Sequence, residues 1–442
     1  MGRLASSVNK TKRYLKRNGL KKTAYAVAER VFKGKNMPKG YEPLSKEELL
    51  AYREMKLPNA PFISIVVPMY ETDSSFFLKL LESVCNQTYE NWELILADAS
   101  KGTDLETILA CFVDSFHPIL PTEQTIEDIR KELKNRIHYY HLKENLGISE
   151  NTNEAIKYAK GEYIALLDHD DVLTFHALSE MVYAIGNHKP VLVYSDEDKM
   201  DADEKTFYEP HRKRKFNLDL ILSNNYICHF TMIRADVIKK LLLRKEYDGA
   251  QDFDLFLRCI NECKSDSEIL HVPEILYHWR CHEASTASNT DSKSYAYESG
   301  RRAVEDFCKE RGWNVAVKNT SHLGFYKVEY PEGIFHERAD VGAIGGPLYR
   351  AGKICGGAMK ADGTLYYSGL NRNFSGYMHR AAMVQDVSAL DIRNLELRPE
   401  LTELLQECRE EFPDDVIQCS LRLSKRLREK GYLLVYDPER SV

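Results

Sequence analysis

From residue 61 onward the apolar positions fall into two alternating periods. ISIVVPMY from Ile63 is a continuous apolar run of strand length. After Ser74, residues Phe76, Phe77, Leu80, Leu81, Val84 and Cys85 recur at the spacing of one helix face. WELILAD from Trp92, IHYYHL from Ile137, YIALLD from Tyr163 and VLVYSD from Val191 predict further strands, with helices near residues 151–158 and 176–185 between them. Strands and helices in alternation predict an α/β domain with a parallel sheet covered on both faces. In such a sheet ligands bind beyond the carboxyl ends of the strands, so the residues just after each strand carry the candidate chemistry.

Composition narrows the class. A chain of 442 residues, 43% hydrophobic and 29% charged, has the size of two or three domains and no disordered or low-complexity bias. Its longest apolar runs stop well short of the roughly 20 residues a membrane-spanning helix needs, and the start has no uninterrupted apolar signal core. The ten cysteines are scattered without a CxxC pair, which predicts reduced thiols and an intracellular address. The net charge of −6 hides an uneven distribution: residues 1–40 hold twelve Lys or Arg against one acid, Glu29. Within residues 15–32, Leu20, Ala24, Val27, Ala28 and Val31 keep helical spacing among Lys16, Arg17, Lys21, Lys22 and Arg30. This predicts a basic amphipathic helix, either lying on an anionic membrane surface or packed on the body as a solvated helix.

Three predicted strands end in acid, at Asp98, at Asp168, Asp170 and Asp171, and at Asp196, Glu197 and Asp198. Single acids at such places commonly form turns or helix caps. Three carboxylates in the four residues DHDD repel one another unless water, basic groups or a cation offset them, and a divalent ion with oxygen ligands, Mg²⁺ or Mn²⁺, is the simplest solution. Neither GxGxxG nor GxxxxGK followed by Ser or Thr is present, which argues against a Rossmann dehydrogenase and a P-loop ATPase. HWRCH places His278 and His282 four apart without HExxH, a weak zinc signal.

VPMYETD from Val67, NQTYENWELILADAS from Asn86, ENLGISENTNEAIKYAKGEYIALLDHDD from Glu144, YSDEDK from Tyr194, GAQDFDLFLR from Gly249 and HVPEILYHWRCHEAST from His271 occur in that order. Together they resemble the family 2 inverting nucleotide-sugar glycosyltransferases of the GT-A fold, among them the bacterial enzymes that build O-antigen, rhamnan and similar surface polysaccharides. The resemblance covers residues 60–315. It implies a GT-A fold with a mostly parallel central sheet at 59–320, preceded by a basic N-terminal helical segment at 1–58. A smaller C-terminal α/β region at 321–442 looks like a reduced second glycosyltransferase domain, without a DxD.

By the same resemblance, Pro68, Tyr70, Glu71 and Asp98 hold the nucleobase and ribose, Asn145 and Gly147 pass the nucleotide, and Asp168, His169, Asp196 and Arg280 complete the donor site. Turn formation remains open for Glu71 and Asp98, and a left-handed bend for Asn145 and Gly147. Asp170, Asp168 and His282 are the implied metal ligands, with Ser285 and Thr286 beside the last. Asp252 is the implied general base, or it simply opens the helix DFDLFLRCI; Asp254 reads as structural, Asp171 as a turn cap and HRKRK from His211 as a solvated loop. The implied reaction moves a sugar from a UDP or dTDP donor to a hydroxyl of a lipid-linked or growing saccharide, with no nucleic acid involved. The implied address is cytoplasmic, peripheral on the inner face of the membrane. Two alternatives stay open: a haloacid-dehalogenase-like phosphatase using Asp168 as nucleophile, because DHDDV fits that loop, and a non-catalytic sugar-nucleotide-binding protein.

Overall fold

The computed structural model describes residues 15–16, 19–30, 38–102, 104–282 and 294–440; Ser285, Thr286 and much of the basic head lie outside them. The chain divides into two compact units. One comprises 38–216 and 227–303, the other 1–37, 217–226 and 304–442. The first differs from the 59–320 expected from sequence. It begins earlier because the helix Lys46–Glu54 packs on it, with Tyr52 donating to Glu180 and its ring 5.0 Å from His176. It loses 217–226 because Asp219 and Asn217 bond within the other unit, to Arg338 and to the backbone of Asp386.

The first unit is built on nine strands: β1 Ile63–Met69, β2 Trp92–Asp98, β3 Ile137–His141, β4 Tyr163–Leu166, β5 Val172–Leu173, β6 Leu192–Asp201, β7 Phe207–His211, β8 Thr231–Arg234 and β9 Ile269–Cys281. They lie in the order β3-β2-β1-β4-β8-β6-β9-β5, with β7 added to β6. The first four run parallel, so Met69, Asp98, His141 and Leu166 finish on one edge. Both faces are covered, which is why these strands read as unbroken apolar runs: Ile63, Ile65, Val66, Leu94, Ile95 and Ile164 are all fully buried. Gly161 lets the turn before β4 approach β1, because a Cβ there would stand 2.5 Å from the Ser64 nitrogen.

β8 runs antiparallel to β4, with Thr231 opposite Leu166, so the residues just before Thr231 arrive at the same edge as the strand ends. β6 and β9 pair in parallel and continue beyond that edge, as far as Asp201 and Cys281. The short β5 then pairs with Tyr277 and His278, tying the segment after β4 to β9. This mixed, mostly parallel arrangement is the GT-A architecture.

The second unit has its own small sheet, in the order Gln385–Asp386, Leu433–Tyr436, Val341–Gly345, Leu395–Leu397, with one parallel pair. The helices Thr402–Glu411 and Val416–Glu429 bury Cys408, Cys419, Leu423 and Leu427 in the core beside that sheet. Arg338 is fully buried there between Asp219 and Asp340. All ten cysteines are free, and no helix among the described residues is long and apolar enough to cross a membrane.

Candidate active site

The loop after β1 carries Tyr70, an exposed ring, and Glu71, whose backbone is left-handed at φ 47°. Glu71 is held there by its N–H donating to Ser100 Oγ at 2.7 Å. Asp98 fixes Ser100 in turn. Its buried carboxylate accepts the Ser100 N–H at 2.9 Å, the Ser100 hydroxyl at 2.5 Å and the Tyr139 hydroxyl. Asp98, expected to contact the donor, therefore positions the Ser100–Glu71 turn in this structure, with its lone pairs engaged inside the protein. On the next loop Asn145 accepts from the Gly147 N–H and from Asn151. Gly147 opens the helix Ile148–Tyr158 at φ 99°, and a Cβ there would meet Asp248 at 2.9 Å, so its geometry demands glycine.

After β4 the four residues of DHDD diverge. Asp168 looks toward His229, Oδ2 to Nε2 3.9 Å. Its pKa is raised, first by the burial of the carboxyl and then by Asp170 and Asp252, against the pull of His229. His169 Nδ1 sits 3.0 Å from Thr72 Oγ1. Asp170 Oδ2 lies 2.8 Å from His282 Nε2. Asp171 turns inward, fully buried, and accepts the Tyr277 hydroxyl at 2.5 Å and the Arg280 N–H at 2.7 Å. It latches the loop to β9 rather than capping a turn, and burial together with Asp170 and Asp168 pushes its pKa well up.

Arg280, expected to approach a diphosphate, is fully buried and engaged with the protein. Its guanidinium donates to the Asp170 carbonyl at 2.6 Å, the Ala202 carbonyl at 3.0 Å and Glu204 at 2.6 Å, and it stacks on Phe76. Asp196 is likewise interior. It accepts from the Lys213 N–H at 2.8 Å, lies 2.7 Å from His271 Nε2 and pairs with Arg212. His278 pairs with Asp198 at 2.6 Å. Four residues of extended chain separate His278 from His282 by about 13 Å, too far to share a zinc ion.

Asp252 stands in the first turn of the helix Gln251–Glu262, where negative charge is favoured. Its Oδ2 is 3.8 Å from Cys228 Sγ, and it raises the pKa of Asp168 across the cleft. Asp254 is buried and accepts from Arg244 and Arg258, a structural role as expected. Cys228 and His229 reach the cleft because they precede β8; burial, then Glu197 and Asp252, hold the Cys228 thiol protonated well above its ordinary range.

Residues 64–242 match the profile of Glycosyl transferase family 2. These residues form a family 2 glycosyltransferase domain. The chain is 36% identical over 259 residues to an uncharacterized protein, y4gI, of Sinorhizobium fredii, covering 57% of this chain and 26% of that one. It is 30% identical over 279 residues to the O-antigen biosynthesis protein RfbC of Myxococcus xanthus, covering 62% and 20%. The chain thus spans about a quarter or less of these two relatives. An uncharacterized glycosyltransferase of Haemophilus influenzae is 26% identical over 288 residues, 61% of this chain and 82% of its own. The solved structure of S. aureus TarS 1–349 with UDP-GlcNAc covers 56% of this chain and 66% of that one at 17% identity, with a TM-score of 0.41, too slight a likeness to argue from.

The unit at 38–216 and 227–303 thus brings His282 to Asp170, His229 to Asp168 and Asp252 to Cys228. One carboxylate and one imidazole at 2.8 Å form an oxygen and nitrogen donor pair suited to a divalent cation, and Asp168 stands apart from that pair, turned to His229. A three-donor group, Glu197, Cys228 and His229, also closes within 4.8 Å. There the positive charge is already supplied: the buried Lys213 ammonium is 3.7 Å from Glu197, His211 Nδ1 is 3.1 Å away and the His229 N–H donates to it at 3.2 Å. Burial alone would raise the Glu197 pKa, but Lys213 and His211 bring it down to about 2.

HRKRK is accordingly not a solvated loop at its start. His211 and Lys213 are interior counter-charges to the acids of β6, and Lys213 also donates to the carbonyls of Ile227 and His229. Sequence reasoning missed His229, which no motif marks; its place two residues before β8 emerges only from the antiparallel pairing with β4.

Proposed function

We propose that this domain transfers a sugar from a nucleoside-diphosphate donor to a hydroxyl of a lipid-linked or growing surface polysaccharide, by direct, inverting displacement. The observation that supports it is the approach of Asp252, from a helix N-terminus, to the DHDD segment after β4: Asp252 is 3.8 Å from Cys228, whose neighbour His229 is 3.9 Å from Asp168. Tyr70 and Glu71 border the side of the nucleobase, held by the Asp98–Ser100 turn. Asp170 and His282 would hold a Mg²⁺ or Mn²⁺ ion, while Asp168 faces His229. Bound there, the cation supplies neutralising charge for the departing diphosphate.

Asp252 takes the proton from the acceptor hydroxyl. Its seat in the first turn of the helix Gln251–Glu262, where negative charge is favoured, gives it the fixed position a base requires. A phosphatase with Asp168 as nucleophile is disfavoured, because four strands of the same sheet precede that residue and the carboxyl faces an imidazole 3.9 Å away. Asp252→Asn tests the assignment: nucleotide-sugar binding is expected to persist while transfer falls by about 10²–10⁴-fold. Near-normal transfer would remove Asp252 from the role.

A further inference from the structure

The helix at residues 19–30 carries its amphipathicity the wrong way round for a helix serving only its own unit. The residues it buries are polar, Thr23 and Glu29. Glu29, the single acid among the first 40 residues, accepts the Gly376 N–H at 2.7 Å and the Ser375 hydroxyl at 3.2 Å, while Tyr25 packs edge-on against Phe374. Facing outward are Leu20, 79% exposed, Ala24 and Val27, 45% exposed, at the i, i+4, i+7 spacing of one apolar stripe. Lys16, Lys21, Lys22 and Arg30 are exposed around them.

We infer that this outer face is a docking surface for an anionic lipid headgroup layer. A helix that serves only its own fold buries its apolar stripe. This one is anchored by its polar residues and presents leucine and valine within a ring of cations. The lone acid that would repel phosphate headgroups is withdrawn inward and bonded. Apolar side chains seated at the acyl boundary and basic side chains at the phosphates are the two parts of interfacial binding, and the exposed cations are complementary to a negative lipid surface. The inference stands apart from the reading of the cleft, since it uses no residue of the glycosyltransferase unit.

The test is co-sedimentation of the full chain with phosphatidylcholine vesicles, with and without phosphatidylglycerol. The chain is expected to pellet with the anionic vesicles only, less so at high salt, and Leu20→Glu with Val27→Glu is expected to lower the partition about tenfold or more. Both side chains point to solvent, so circular dichroism and nucleotide-sugar binding of this variant are expected to match the parent. A second variant, Lys16, Lys21 and Lys22 to Gln, is expected to lose binding in the same direction. Equal partition of parent and variants, no partition of the parent, or self-association of the parent that these substitutions abolish would each overturn the inference, the last by assigning the face to a second copy.

Discussion

His282 and Asp170, 112 residues apart in the chain, meet at 2.8 Å through Nε2 and Oδ2. The contact exists because β5 ties the DHDD segment to β9 and because Asp171 binds Tyr277 and the Arg280 N–H from the same strand. The pair offers one oxygen and one nitrogen donor to the proposed divalent cation. Loss of groups that orient a metal-binding carboxylate costs about 10–100-fold in metal affinity. His282→Ala is expected to weaken Mn²⁺ binding by at least that, measured by titration with free Mn²⁺ followed by electron paramagnetic resonance. Unchanged affinity would place the cation elsewhere.

Arg280 is a positioning residue whose removal acts on the fold. Its three acceptors, the carbonyls of Asp170 and Ala202 and the carboxylate of Glu204, lie on two separate segments, the DHDD loop after β4 and the turn after β6. Breaking a buried ion pair costs about 3–5 kcal/mol, so Arg280→Ala is expected to lower stability by that order in urea denaturation. Arg280→Lys is expected to rescue little, because a single ammonium cannot span the three acceptors of a planar guanidinium. A loss under about 0.5 kcal/mol, the level of an ordinary surface substitution, would contradict this role.

The sheet edge and its first two acidic ends were legible in the sequence because β1, β2 and β4 are buried on both faces and therefore read as unbroken apolar runs. The helix start at Asp252 was legible too, as the beginning of a periodic segment, while its role as base is implied by the family resemblance alone. What failed were the residues whose fate depends on distant pairing. Asp196 carries the same strand-end signal as Asp168, yet β6 continues past the edge beside β9, so Asp196 meets His271 and Asp198 meets His278 inside the sheet extension. Arg280 was expected in the donor site and HRKRK as a solvated loop, and the carboxylates that Arg280 and His211 meet, Glu204 and Glu197, lie 76 and 14 residues away in sequence. His229 had no local signal at all.

Acid should unfold the glycosyltransferase unit in two stages. His176 is buried and neutral, and burial foremost lowers its pKa to about 4. Its unfolded form binds a proton first, so its share of stability is present above pH 6.5 and is lost as pH falls from there toward 4. Glu197, lowered to about 2 against an ordinary 4.5, contributes stability that is present above pH 4.5 and is lost as pH falls toward 2. The melting temperature is expected to decline from about pH 6.5 downward and again below about 4.5, and Glu197→Gln should remove the second decline while lowering stability at neutral pH by leaving Lys213 unpaired. A melting temperature flat from pH 7 to pH 3 would contradict both.

The claim on which the account turns is that the carboxylate cleft holds a cation-bridged nucleoside diphosphate. Thermal shift of the full chain against UDP- and dTDP-sugars, each with and without Mn²⁺, measures it directly. One donor and the cation together are expected to stabilise the protein by more than the sum of their separate effects, as binding linkage requires, and Asp170→Ala should abolish that synergy. If no nucleotide sugar stabilises the chain in the presence of Mn²⁺, or if Asp170→Ala responds like the parent, the account is wrong.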